Sequence, residues 1–355
     1  MSTSAARPKA CASTSTWSER PQGRAAPGPP PGGASNLGAA RRLLVQTHDG
    51  AAAVLLHPRA PFRLDLTVAS LRRRTRNVID RWDGAEWRRV LVLDGAAVEL
   101  GVRQRGAPAA STLELRLHGD APLTAAQREA ARACVTRMLG LDVELINFYR
   151  MAAADARLAE LVERYRGMRP QRFPDLFEAL ANAVACQQVS LDAGIALLGR
   201  FARRWGRALL GDAAAFAFPR PQDLREATPQ ALRADGWSER KASYLLGIAA
   251  ALRDPGAVAA LQAVDDTTAL AALQRLRGVG RWSAQYALLR GLGRSAMFPV
   301  DDVGAQRHLG EWLGLPQRPD AARTEAIVAR WQPYAGLVYF HLLLWRLERE
   351  GALTP

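Results

Sequence analysis

The chain has 355 residues and a formal net charge of +14, and nearly all of its basic residues are arginine. That length holds two or three domains, each with its own core, and so basic a balance favours a polyanionic partner, with DNA the default. The three cysteines, Cys11, Cys134 and Cys186, and the five histidines are scattered, which argues against a disulfide framework, a metal centre or an iron–sulfur cluster. The expected cofactor and metal content is therefore none. The sequence has no stretch near the roughly 20 apolar residues that span a bilayer and no basic–apolar–cleavage pattern at its start, so a monomeric, cytoplasmic protein is expected.

Residues 1–40 are rich in Ala, Pro, Gly, Ser and Thr, with the run Pro29-Pro30-Pro31-Gly32-Gly33, and are expected to be a disordered tail. Over 41–140 the pattern turns to period two. Val90 to Leu93, then Asp94-Gly95, then Val98 to Val102 predicts a hairpin, and the alternation of Leu113, Leu115 and Leu117 predicts a half-buried strand. The basic stretch Arg72 to Arg76 reads as a solvated surface in preference to a DNA path. From 141 to 352 the pattern is helical. Thr124 with Gln127 forms a capping box just before this stretch, Thr228-Pro229 supplies an N-cap and first-turn proline, and Ser238 opens another helix. The fold class expected is α+β: a small antiparallel N-terminal sheet domain followed by an all-helical domain.

Two segments carry chemistry. In Leu276-Arg277-Gly278-Val279-Gly280-Arg281-Trp282-Ser283-Ala284, two glycines bracket a branched apolar residue between two helices. Such a turn lets backbone approach a phosphate closely and presents helix-start amides to it, which makes Gly278, Val279, Gly280, Arg281 and Ser283 candidate DNA contacts. About twenty residues later, Met297-Phe298-Pro299-Val300-Asp301-Asp302-Val303-Gly304 delivers two carboxylates to a helix start. Capping alone explains either aspartate; after such a hairpin, a carboxylate also suits the stabilisation of an oxocarbenium-like sugar and the orientation of a water. Trp282 and Tyr286 share a helical face, and the spacing leaves open whether they wall a base pocket or pack in the core.

At these residues the sequence resembles the helix-hairpin-helix glycosylases with a Gly/Pro-rich loop and an invariant aspartate, and within them the AlkA-type DNA-3-methyladenine glycosylases. The likeness also rests on Leu71 to Arg74, Asp80-Arg81-Trp82-Asp83-Gly84, Ala185-Cys186-Gln187-Gln188-Val189-Ser190, Phe218-Pro219-Arg220-Pro221, Arg240-Lys241-Ala242 and Trp331-Gln332-Pro333-Tyr334. It implies Asp302 as the catalytic carboxylate, with Asp301 as fallback. It implies Gln188 as the wedge filling the gap left by an extruded nucleotide, with Gln187 counted beside it at the DNA and supporting that loop by hydrogen bonds. Trp282 stands where strand-cutting relatives carry a lysine, which implies a monofunctional enzyme. The family's stacking aromatic near the C-terminus falls on Leu343, two positions before Trp345; Trp345 is taken with Trp282 and Tyr286 as the base pocket. The function implied is hydrolysis of alkylated purines, 3-methyladenine and 7-methylguanine, from double-stranded DNA, the alternatives being oxidised or deaminated bases, or damage sensing without catalysis.

Overall fold

The computed structural model describes residues 44–46 and 52–353; the predicted N-terminal tail lies outside them. The N-terminal part is a six-stranded antiparallel sheet of β1 (Leu44–Gln46), β2 (Ala52–Leu56), β3 (Arg81–Trp82), β4 (Glu86–Leu93), β5 (Ala96–Arg105) and β6 (Thr112–Gly119), in the order β1-β2-β6-β5-β4-β3. Asp94 and Gly95 make the expected two-residue connection: Leu93 pairs with Ala96, and both turn residues have positive φ, 48° and 77°, as a type I′ turn demands. The pleat sorts the side chains. Trp87, Arg89 and Leu91 of β4 are buried, and Leu100 and Val102 of β5 with Leu113 and Leu115 of β6 join Trp87 and Leu91 in the main core. Val90 and Ala97 belong to a second, small cluster with Leu209, Ala215 and Ala217.

The helices follow the capping signals. Helix α1 (Leu64–Arg72) lies between β2 and β3 and is closed by Arg73 in the left-handed conformation, φ 61°. Thr124 and Gln127 complete a reciprocal capping box at the start of α2 (Ala125–Met138). Then come α3 (Ile146–Ala153), α4 (Ala156–Arg164), α5 (Leu176–Cys186), α6 (Leu191–Trp205), α7 (Pro229–Ala234), capped by Thr228, and α8 (Glu239–Ala251), capped by Ser238. Last are α9 (Pro255–Ala263), α10 (Asp266–Gln274), α11 (Arg281–Ala287), α12 (Val303–Leu313), α13 (Ala321–Val328) and α14 (Ala335–Arg349). A single wide π turn over Leu288–Leu292 extends α11. The fold is α+β, a small antiparallel sheet followed by a helical body.

Helix α5 is central: every residue from Leu176 to Ala185 is buried, and it packs on α6, α8 and α11. The sheet meets it through charge as well as through apolar packing. Arg89, wholly buried, donates to Asp80 Oδ1 at 2.9 Å and to Glu178 of α5, while Trp87 Nε1 also reaches Asp80 at 3.2 Å. Burial and the neighbouring Asp80 charge raise the Glu178 carboxyl to about 7 against the pull of Arg89.

Removing one member of such a group strands the others in low dielectric. Arg89→Met is expected to lower the unfolding free energy at pH 8 by about 3–5 kcal/mol. The variant removes the cation that opposes burial at Glu178, whose carboxyl is already raised, so its stability deficit is largest at high pH and shrinks as pH falls through that raised value. Chemical denaturation of wild type and variant at pH 8 and pH 5.5 measures both; a deficit that is small, or constant with pH, would count against the account.

Candidate base-excision site

Gly278 and Gly280 sit between α10 and α11, and only the first is forced by the fold. Gly278 has φ +89°, and a Cβ there would lie 2.2 Å from the Tyr244 ring. Gly280 has φ −84° and open space where a Cβ would go. It occupies the N-cap of α11 with no side-chain cap, so the first amides of that helix have no acceptor within the helix. The Gln187 amide holds this turn from behind, donating to Gly278 O at 2.9 Å and to Ser283 Oγ at 3.1 Å.

The segment leading to Asp302 is pinned by glutamines. Gln285 of α11 accepts from Val300 N at 3.2 Å, and Gln306 of α12 donates to Val300 O at 2.8 Å. The two aspartates then take different partners. Asp301 is gripped by Arg281, whose Nε and Nη2 donate to its two oxygens at 2.6 and 2.8 Å. Asp302 is the N-cap of α12, its Oδ1 accepting from Ala305 N at 2.9 Å. Its Oδ2 accepts from Trp282 Nε1 and from the Tyr339 hydroxyl, each at 3.2 Å. All three donors are neutral, and among the described residues no ion pair involving Asp302 is formed. Burial, and the Asp302 charge beside it, raise the Tyr339 phenol well above its usual value, so Tyr339 remains a hydrogen-bond donor.

Asp302 opens onto a cavity of about 1340 Å³ that also receives Trp282, Tyr286, Gly278, Val279, Gly280, Gln187 and Gln188. The rings of Trp282 and Tyr286 stand 5.8 Å apart and tilted by 35°, forming one wall. Gln188 has φ +54° and lies next to Val189, which is 47% exposed; Val303, also in the lining, is 62% exposed.

Several sequence expectations change. Trp345 is not among the residues lining the cavity: it lies under Arg349, 4.5 Å from ring centre to guanidinium, because two positions along a helix turn a side chain to a different face. Leu343 lines the cavity, as does Tyr339 one turn before it. Arg281 lies outside the lining and is committed to Asp301, and the Ser283 hydroxyl is buried beneath Gln187. The Gln187 donors are likewise spent on the hairpin, so its place is that of a tie. The Arg72–Arg76 stretch is not simply solvated: Arg73 is buried at the cavity, donating to Tyr286 OH at 3.1 Å and to Asn182 Oδ1 at 2.6 Å. Tyr339, Asn182 and Arg73 escaped the sequence reading; the i−4 spacing from Leu343 was the available signal for Tyr339.

A glycine hairpin opens a helix here, with a cavity-facing aspartate about twenty residues on, and residues 181–333 match the family described as HhH-GPD superfamily base excision DNA repair protein. That match spans under half of the chain, and with the relatives below it supports a glycosylase of the AlkA type. The chain is similar to the DNA-3-methyladenine glycosylase of Bacillus subtilis (strain 168), 29% identical over 234 residues, or 65% of this chain and 76% of that one. It is 30% identical over 182 residues to DNA-3-methyladenine glycosylase 2 of Escherichia coli (strain K12), covering 51% of this chain and 61%, under two thirds, of that one. A solved structure of 3-methyladenine DNA-glycosylase from Archaeoglobus fulgidus shares the fold, with a TM-score of 0.71 at 24% identity over 84% of this chain and 99% of that one.

The unequal demands on the two hairpin glycines are testable. Gly278→Ala is expected to cost about 1–3 kcal/mol of unfolding free energy, because it combines a left-handed backbone with a ring collision. Gly280→Ala is expected to cost less, about 0.5–1 kcal/mol, the difference between glycine and alanine at an N-cap. Equal losses in thermal or urea unfolding would show that the turn's backbone does not single out Gly278.

Proposed function

We propose that the protein is a monofunctional DNA glycosylase that releases alkylated purines, 3-methyladenine and 7-methylguanine, from duplex DNA in base excision repair. The observation that carries this reading is the Asp302 carboxylate, turned into the cavity and held by three neutral donors. Its charge is fixed in direction and cancelled by no bonded cation. In the mechanism supported by this geometry, the first amides of α11 and the Gly280 backbone hold a phosphate, and the damaged nucleotide turns into the cavity. Gln188 fills the space it leaves. The base stacks on Trp282 and Tyr286. The C1′–N bond breaks with its electron pair going to the base, which leaves as a neutral purine because alkylation had made it a cation. Asp302 stabilises the positive charge on the sugar and directs a water to C1′; the water's proton passes to the carboxylate and then to solvent.

The residue at position 282 supports release without strand cleavage. An indole has no amine to form a Schiff base with the sugar, and the cavity's one lysine, Lys241, is engaged with Ala185 O at 2.9 Å. The partner is double-stranded DNA, bound by a monomer, and the location is cytoplasmic.

Asp302→Asn separates chemistry from structure, because asparagine caps a helix about as well as aspartate. With methylated duplex DNA, wild type is expected to release free methylpurines with strand breaks appearing only after alkali. The variant should keep DNA binding and lose about 10²–10³ in the single-turnover rate. Base release by the variant at the wild-type rate would remove Asp302 from the mechanism. Binding without release by the wild type would favour a damage sensor.

A further inference from the structure

Arg73 is an unusual residue to find in a cavity meant for cationic bases. Its backbone takes the left-handed conformation, φ 61°, which an arginine adopts only at a cost, and the residue closing α1 is thereby 7% exposed. Of the five guanidinium N–H groups, one at Nη1 meets Tyr286 OH and one at Nη2 meets Asn182 Oδ1. The Nε–H is buried without an acceptor. The Cys186 thiol also takes a hydrogen bond from this guanidinium, which leaves one terminal N–H over, and among the described residues no carboxylate is bonded to this cation. Arg290 reinforces the local charge. It is wholly buried, lies 5.5 Å from the Tyr286 ring centre and 4.9 Å from that of Phe173, and has Nε and Nη1 unpartnered. A buried cation without a counter-charge is retained only where something repays its desolvation, and an acceptor on a bound ligand does so.

The order of groups along the wall fixes what that acceptor is. Asp302 contacts Trp282, Trp282 stacks near Tyr286, and the Tyr286 hydroxyl meets Arg73. A purine whose glycosidic bond lies at Asp302 and whose face lies on the two rings brings its far, six-membered edge to Arg73. We propose that Arg73 reads the six-position of the extruded purine and makes the enzyme favour 6-oxopurines, 7-methylguanine over 3-methyladenine. This rests on the base-release reading above and narrows its substrate class. A guanidinium only donates, so it satisfies a 6-oxo carbonyl, whereas a 6-amino group turns N–H toward N–H and offers no acceptor at that position. Both bases are positively charged in DNA, so their net charge does not distinguish them and the six-position does.

Duplex DNA treated with dimethyl sulfate carries both bases, and chromatography of the freed purines reads both rates in one tube. Arg73→Met is expected to lower the ratio of 7-methylguanine to 3-methyladenine release by about 10- to 100-fold relative to wild type, the range for a hydrogen bond to a charged group. Arg73→Lys, which keeps the charge and loses the fork, is expected to fall between the two. The ratio is independent of how much of a variant is folded, and the lysine variant keeps the test open where methionine is not tolerated. An unchanged ratio overturns the proposal, including the case in which both rates drop together, because a residue that merely positions Tyr286 or grips a phosphate affects every base alike. Release of neither base by the wild type overturns the base-release reading itself, and this inference with it.

Discussion

Arg89, buried between Asp80 and Glu178, joins the sheet to helix α5, and much of the molecule can be referred to that joint. Glu178 and Asn182 are four residues apart on α5, so they share one face of it; Glu178 takes Arg89 from β4 and Asn182 takes Arg73 from the end of α1. Asn182 also donates to Glu178 O at 3.0 Å, which makes the two attachments neighbours in one network. An ion group in low dielectric contributes little net stability over an apolar substitute, but it tolerates very few geometries. Here that intolerance fixes where the N-terminal part stands relative to a helix whose own surface is buried nearly throughout.

The same economy of position governs Asp302. Its carboxylate satisfies the first turn of α12 with one oxygen and receives Trp282 and Tyr339 with the other, so the charge sits where three elements meet. Val300, just ahead of it, is clasped by glutamines from the helices on either side in sequence. In the mechanism proposed above, little reorganisation is left for the moment when charge develops on a bound sugar, and preorganisation of this kind is the largest contribution an electrostatic site makes. Asp301 differs by one residue and is neutralised by Arg281, which explains how two adjacent aspartates come to have unlike places.

Features encoded within a few residues were legible in the sequence. The Asp94-Gly95 turn, the Thr124 capping box, the Ser238 cap and the two-glycine hairpin are each dictated by local backbone geometry, and all appear where their patterns put them. Trp282 and Tyr286 reach the cavity because their spacing is helical and the hairpin sets the phase of that helix. The phase of α14 has no such local anchor. Its run from Tyr334 to Trp345 is apolar on every side, so which face meets Asp302 is decided by packing, and the choice fell on Tyr339 and Leu343 with Trp345 turned away. Arg73 was hidden for a different reason: four arginines within five residues look alike as letters, and only the left-handed turn at the end of α1 distinguishes the one that goes inside.

The contact between Arg73 and Tyr286 joins residues 213 positions apart, and Arg73 lies far outside the segment 181–333 that marks the superfamily. The cavity is thus assembled from two lengths of chain under separate constraints. One carries the hairpin and the carboxylate to which the proposed mechanism assigns the reaction. The other reaches the cavity through a single helix end, where one substitution alters what faces the ligand and leaves the reacting groups in place. If Arg73 reads the base as proposed, a change of preference needs only a substitution at the end of α1, distant in sequence from Asp302.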